Sequence, residues 1–147
     1  CVLHSHMPYA TTLCALQDYE LQMIDQNACR FFGRIVYDRN YGGMAFREES
    51  ERIAKSLTPN TSIVMMGNHG VLAIGDSIAA AFDELYYFEM ACRVQVLALS
   101  THQPLAVLSD EIAQKTCNEW LAFPAITTQH LREIMATLDD EEPDYRC

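Results

Sequence analysis

Ser62-Ile63-Val64-Met65-Met66-Gly67-Asn68-His69-Gly70-Val71-Leu72-Ala73-Ile74-Gly75-Asp76-Ser77 is the stretch on which the fold turns. Ile63 to Met66 reads as a buried strand, and Val71 to Ile74 as a second one after His69-Gly70. Gly75-Asp76-Ser77 then supplies a turn and an N-cap. Ile78 to Leu99 follows as a long helix, with Ile78, Phe82, Leu85, Cys92, Val96 and Leu99 at the spacing of one apolar stripe. Glu89 falls on that stripe, where a carboxylate is costly without a partner.

Before this stretch, Cys1 to His6 reads as another strand. Pro8 suits the first turn of a helix that runs over Tyr9 to Leu16. Leu21 to Ile24 is expected as a short strand, and Asn27 to Phe32 as a helical turn closed by Gly33. Arg34 to Tyr37 alternates polar and apolar residues and runs into a loop, Asp38-Arg39-Asn40-Tyr41-Gly42-Gly43. Glu48 to Leu57 is an amphipathic helix with Ile53, Ala54 and Leu57 on one face. After the long helix come two more, Asp110 to Leu121 and Thr128 to Leu138, separated at Phe123-Pro124. Strands alternating with helices make the chain α/β.

The 147 residues suit one domain with a real core; half are apolar and a fifth charged. A net charge of −10 argues against nucleic acid or an anionic membrane as partner. No apolar run approaches the roughly 20 residues of a membrane span. The six cysteines (Cys1, Cys14, Cys29, Cys92, Cys117 and Cys147) are scattered without a CxxC pair. They read as reduced, packed thiols of a cytoplasmic protein. Because the first candidate ligand stands only three residues after Cys1, the chain is expected to be part of a longer one, lacking its N-terminal portion.

Chemistry concentrates in His4-Ser5-His6 and Asn68-His69-Gly70. On a strand, residues i and i+2 share a face about 6.5–7 Å apart, so His4 and His6 can aim at one point. His69, at a strand end where Gly70 permits close backbone approach, can supply a third imidazole and leave a coordination position open. The plainer alternative is a set of exposed or hydrogen-bonded histidines. His102 and His130 lie in polar segments and read as exposed. Glu89 has three readings: an acceptor orienting a ligand histidine, a partner for an arginine such as Arg93, or an exposed residue. A barrel hydrolase with an HxH strand needs about 250 residues, and jelly-roll metal proteins lack such a long helix.

Residues 1–13 (CVLHSHMPYATTL), 37–43 (YDRNYGG), 67–82 (GNHGVLAIGDSIAAAF) and 89–95 (EMACRVQ) together resemble the class II aldolase/adducin family, over most of positions 1–100. The resemblance implies a three-layer α/β/α sandwich around a mostly antiparallel sheet. Residues 1–147 would form the C-terminal portion of one domain, with the core in 1–100 and helices in 101–147. It also implies a homotetramer with sites between subunits. His4, His6 and His69 match the family's zinc-binding histidines, with Asn68 and Glu89 behind them. The implied activity is a zinc-dependent (or other divalent-metal) aldolase-type lyase acting on a small carbonyl or phosphorylated sugar through an enediolate. The family's acid/base glutamate and phosphate-binding loops lie upstream of HxH, so the acid/base carboxylate is expected before Cys1 and this chain alone is expected to be inactive. The position of a tyrosine that assists the aldolases corresponds to Gln26, and Tyr41 does not replace it. Residues 25–43 look most like the adducin-like bacterial branch, which leaves a non-catalytic assembly or binding module as the alternative function.

Overall fold

Four short apolar segments build one sheet in a computed structural model of the chain, which describes residues 1–43 and 46–146. The strands are β1 (Val2–Ser5), β2 (Ile35–Asp38), β3 (Ile63–Met66) and β4 (Gly70–Ile74), in the spatial order β1-β4-β3-β2. β4 runs antiparallel to both β1 and β3, while β2 and β3 are parallel. A parallel pair needs a crossover, and the helix α3 (Phe46–Ser56) supplies it. The remaining helices are α1 (Pro8–Cys14), α2 (Gln26–Cys29), α4 (Ile78–Ser100), α5 (Asp110–Leu121) and α6 (Ala125–Glu141), followed by a 3-10 turn at Pro143–Arg146.

The two-residue period of the strands divides the core. Ile63, Met65, Val71 and Ala73 face α1 and α4, where they pack with Leu13, Phe31, Phe88 and Cys92. Val64 and Met66 face the other way, against Ile53 of α3. Every residue of β3 is buried, as expected of a central strand covered on both sides. The result is the three-layer α/β/α arrangement.

Four expectations change. Leu21 to Ile24 is not a strand. Its backbone is satisfied by side chains instead: the Leu21 amide donates to Tyr37 Oη at 3.1 Å and the Gln22 amide to Gln95 Oε1 at 2.6 Å. Of the face expected around α3, Ile53 is buried while Ala54 and Leu57 are exposed.

The stripe on α4 holds in part: Cys92 is buried and Leu85 and Val96 pack against the core, while Ile78 and Leu99 at its ends are exposed. Ser77 caps the helix as expected, accepting from the Ala80 amide. Yet Ile78 is 67% exposed, and the buried face carries Asp83, Glu84, Phe88 and Gln95. Partners explain the buried charge. Asp83 meets Arg30 Nη2 and His130 Nδ1, each at 2.6 Å, and Glu84 meets Arg34 Nη2 at 3.0 Å. His130 is therefore no exposed polar residue; it is a half-buried link from α6 to α4.

The thiols of Cys1, Cys14, Cys29, Cys92 and Cys117 are free, and Cys147 lies outside the described residues. Burial pushes the Cys14 thiol up to about 11 and Cys92 well above its ordinary value. These two act as small apolar side chains. No helix among the described residues is long and apolar enough to cross a membrane.

Candidate metal centre

His4 sits on β1 opposite Leu72 of β4. Its Nδ1 lies 3.0 Å from the carbonyl oxygen of Val71. A carbonyl only accepts, so Nδ1 carries the proton and, in the neutral ring, Nε2 presents its lone pair. That Nε2 stands 3.0 Å from Nε2 of His6, which lies just past the end of β1. Gly70 makes room for the His6 ring: a Cβ at residue 70 would meet His6 Cδ2 at 2.6 Å.

His69 enters from the turn between β3 and β4. Asn68 bends that turn in the left-handed region, with φ +57°, a conformation asparagine tolerates better than most residues. The Asn68 amide is tied to the Cys14 carbonyl at the end of α1 (2.8 Å), and the Gly67 amide to the Asp38 carbonyl (2.8 Å). Strand end, helix end and turn thus converge on one place.

The ligand atoms that His4, His6 and His69 can offer lie within 4.8 Å of one another. Their ring centroids are 4.8 to 5.0 Å apart. His4 and His6 are exposed and His69 half-buried, so a small molecule can reach the cluster. The donor set fits a divalent cation. His4 is held in the tautomer that frees Nε2, a neighbouring imidazole nitrogen faces it, and neutral imidazoles suit zinc and related metals.

The other sequence candidates take different places. Among the described residues, Glu89 makes no hydrogen bond to a histidine. Its two oxygens accept from the Tyr9 and Ala10 amides at 2.9 and 2.8 Å, capping α1. It therefore supports the helix after His6 and does not orient a ligand ring. Asn68 is exposed and contributes through its backbone. Gln26 opens α2, where its carbonyl accepts from the Trp120 indole at 3.2 Å. The Tyr41 ring centroid lies 6.1 Å from that of His69, so this loop residue does border the cluster.

Sequence reasoning missed Glu49, whose Oε1 is 3.5 Å from His69 Nδ1. Glu49 belongs to the polar side of a helix read only as amphipathic, and nothing in its spacing sets it apart from Glu48 or Glu51. Arg52, one turn on, grips the buried Asp38 through Nε–Oδ1 at 3.1 Å and Nη2–Oδ2 at 2.7 Å. Burial pushes the Asp38 carboxyl up, but Arg52 and the Asn40 amide outweigh it and hold it below its ordinary value.

A cavity of about 630 Å³ lies elsewhere, lined by Arg34, Ser62, Gly75, Asp83, Trp120 and Phe123 among others. None of the three histidines borders it. It opens at the opposite ends of β2, β3 and β4.

A family model described as "Class II Aldolase and Adducin N-terminal domain" matches residues 1–96. Human beta-adducin is 34% identical over 101 residues, which cover 69% of this chain and 14% of that protein. An aldolase II superfamily protein from Pseudomonas syringae superposes with a TM-score of 0.87 at 30% identity, over 99% of this chain and 59% of that one. L-fuculose 1-phosphate aldolase from Glaciozyma antarctica PI12 gives a TM-score of 0.66 at 27% identity, over 80% and 43%. The chain thus spans a small part of the adducin and little more than half of the bacterial protein.

Proposed function

Because the chain belongs to the class II aldolase and adducin family, we propose that His4, His6 and His69 hold a divalent metal, zinc by preference, in an aldolase-type lyase acting on a small carbonyl compound. The observation that carries this reading is the convergence of three imidazoles within 4.8 Å, with His4 fixed in the metal-binding tautomer. When bound, such a metal supplies Lewis-acid stabilisation to negative charge developing on a substrate oxygen. The chain's own residues prepare that chemistry. The Val71 carbonyl orients His4, the space at Gly70 seats His6, and the left-handed turn at Asn68 presents His69. Exposure of His4 and His6 leaves an approach for substrate. The solved fuculose-phosphate aldolase similar to this chain supports a phosphorylated sugar as the substrate class.

On this reading residues 1–147 form part of one domain, with the metal site in 1–100 and α5 and α6 added outside it. The whole protein is cytoplasmic and forms a homotetramer. The second reading, an adducin-like assembly module without catalysis, draws on the 34% identity to beta-adducin.

Metal analysis separates the first proposition from its denial. The purified chain is expected to take up about one divalent metal, as a three-histidine site would, and a His4→Ala, His69→Ala double variant to lose it. Full occupancy in the double variant would overturn the ligand assignment. Retro-aldol turnover of ketose phosphates by the longest natural form of the protein then distinguishes lyase from module.

A further inference from the structure

We propose that Glu49 is a positioning residue for His69: its carboxylate accepts a hydrogen bond from the Nδ1–H group, turns Nε2 toward the metal, and is itself backed by Arg52, which Asp38 holds. The inference rests on the metal-site reading above.

His69 and Glu49 face each other. Among the described residues, buried His69 Nδ1 finds no hydrogen-bond partner. Glu49 Oε1 stands 3.5 Å away, on a side chain only 14% exposed. A carboxylate so enclosed needs donors, and among the described residues Arg52 Nη2 also stands near it, at 4.0 Å. A small rotation of either side chain brings the Glu49–His69 pair to hydrogen-bond length. Carboxylates placed behind metal-binding histidines fix the tautomer and ring orientation and raise the basicity of the ligand nitrogen.

The supporting residues close a circuit. Glu49 and Arg52 are one turn apart on α3, and Arg52 is bidentate on Asp38 while also donating to the Asn40 carbonyl at 2.7 Å. Asp38 ends β2, and its carbonyl accepts from the Gly67 amide at 2.8 Å and from Tyr19 Oη at 2.9 Å. Gly67 begins the turn that carries His69. The same aspartate therefore anchors the turn through its backbone and the Glu49 side through its carboxylate. A glutamate serving only as a solvated helix face would need neither burial nor this backing.

The test uses the 147-residue chain with ¹⁵N-labelled histidine and ¹¹³Cd²⁺. In the wild type, cadmium is expected to couple to Nε2 of His69 while Nδ1 stays protonated. Coupling through Nδ1 would overturn the proposal without disturbing the metal site. Glu49→Gln keeps the size of the side chain; it is expected to bind Cd²⁺ about 10–100-fold more weakly with an unchanged apo melting temperature. Arg52→Gln is expected to weaken binding less, and sub-additively with Glu49→Gln. Wild-type affinity in Glu49→Gln would overturn the positioning role alone. No cadmium uptake by the wild type would remove the metal-site reading and this inference together.

Discussion

Gly70 and His6 are matched in shape: a Cβ on residue 70 would stand 2.6 Å from His6 Cδ2 and 2.7 Å from the Ser5 carbonyl oxygen. The backbone oxygen cannot yield as a flexible side-chain tip could, so the His6 ring or β1 itself must shift. Gly70→Ala is expected to cost about 1–3 kcal/mol, the usual range for overpacking. It is also expected to lower metal affinity, because a ligand displaced by a few tenths of an ångström spoils a short coordination bond. Thermal melts and zinc titration read the two effects. Unaltered zinc affinity would show that His6 is not held where this contact places it.

Glu89 separates support from coordination. Its carboxylate takes two free amides at the start of α1, at 2.9 and 2.8 Å. Glu89→Gln replaces one acceptor oxygen with a donor and removes the charge at the helix N-terminus. The expected loss is about 1–2 kcal/mol, as for a helix cap. Metal affinity, measured by titration, should change far less than in His69→Ala. Losses of equal size would place Glu89 directly behind a ligand.

Much of this arrangement was legible in the sequence. The spacing of His4 and His6, the strand before His69 and the glycine after it carry enough local information to foresee the cluster. The polar part of the buried face of α4 was not legible, because Asp83, Glu84 and Gln95 look like a solvent face until Arg30, Arg34 and the Gln22 backbone are brought to them from distant parts of the chain. Glu49 was hidden for the same reason. Its significance lies in a contact with His69, twenty residues on, that no helical period announces.

Asp38 predicts an acid-dependent contribution. Its folded value lies below the ordinary 3.8, since Arg52 and the Asn40 amide outweigh the effect of burial. A depressed carboxyl stabilises the fold above its unfolded value, and that contribution is lost as pH falls through the folded one. Wild type is therefore expected to exceed Asp38→Asn in stability at neutral pH. The gap should narrow below pH 3.8 and close as the folded carboxyl protonates. Urea unfolding at a series of pH values measures it. A gap independent of pH would mean that the charge on Asp38 is not what Arg52 holds.

α6 has no fully buried residue; it packs on α4 through a half-buried row that includes Leu131, Ile134 and Leu138, and His130 Nδ1 adds a charged link to Asp83 Oδ1 at 2.6 Å. The ring also lies among Phe82, Tyr86 and Tyr87, with centroids 4.7 to 5.7 Å away. Removing the imidazole takes away a hydrogen bond to a charged group, about 1.5–3 kcal/mol. Amide exchange across residues 125–141 should accordingly rise about tenfold or more in His130→Ala, since each 1.4 kcal/mol is a factor of ten. Exchange in β3 should stay slow, because the loss falls on local opening of α6. Asp83→Ala should do more, because among the described residues it leaves the Arg30 guanidinium, 6% exposed, with Glu84 as its one remaining acid. Stripping one partner from a buried pair costs about 3–5 kcal/mol, and that loss should reach the whole α4 interface, β3 included. Hydrogen exchange read by mass spectrometry distinguishes the two patterns. If His130→Ala accelerates β3 as much as α6, the histidine belongs to the core and is not a clasp on the last helix.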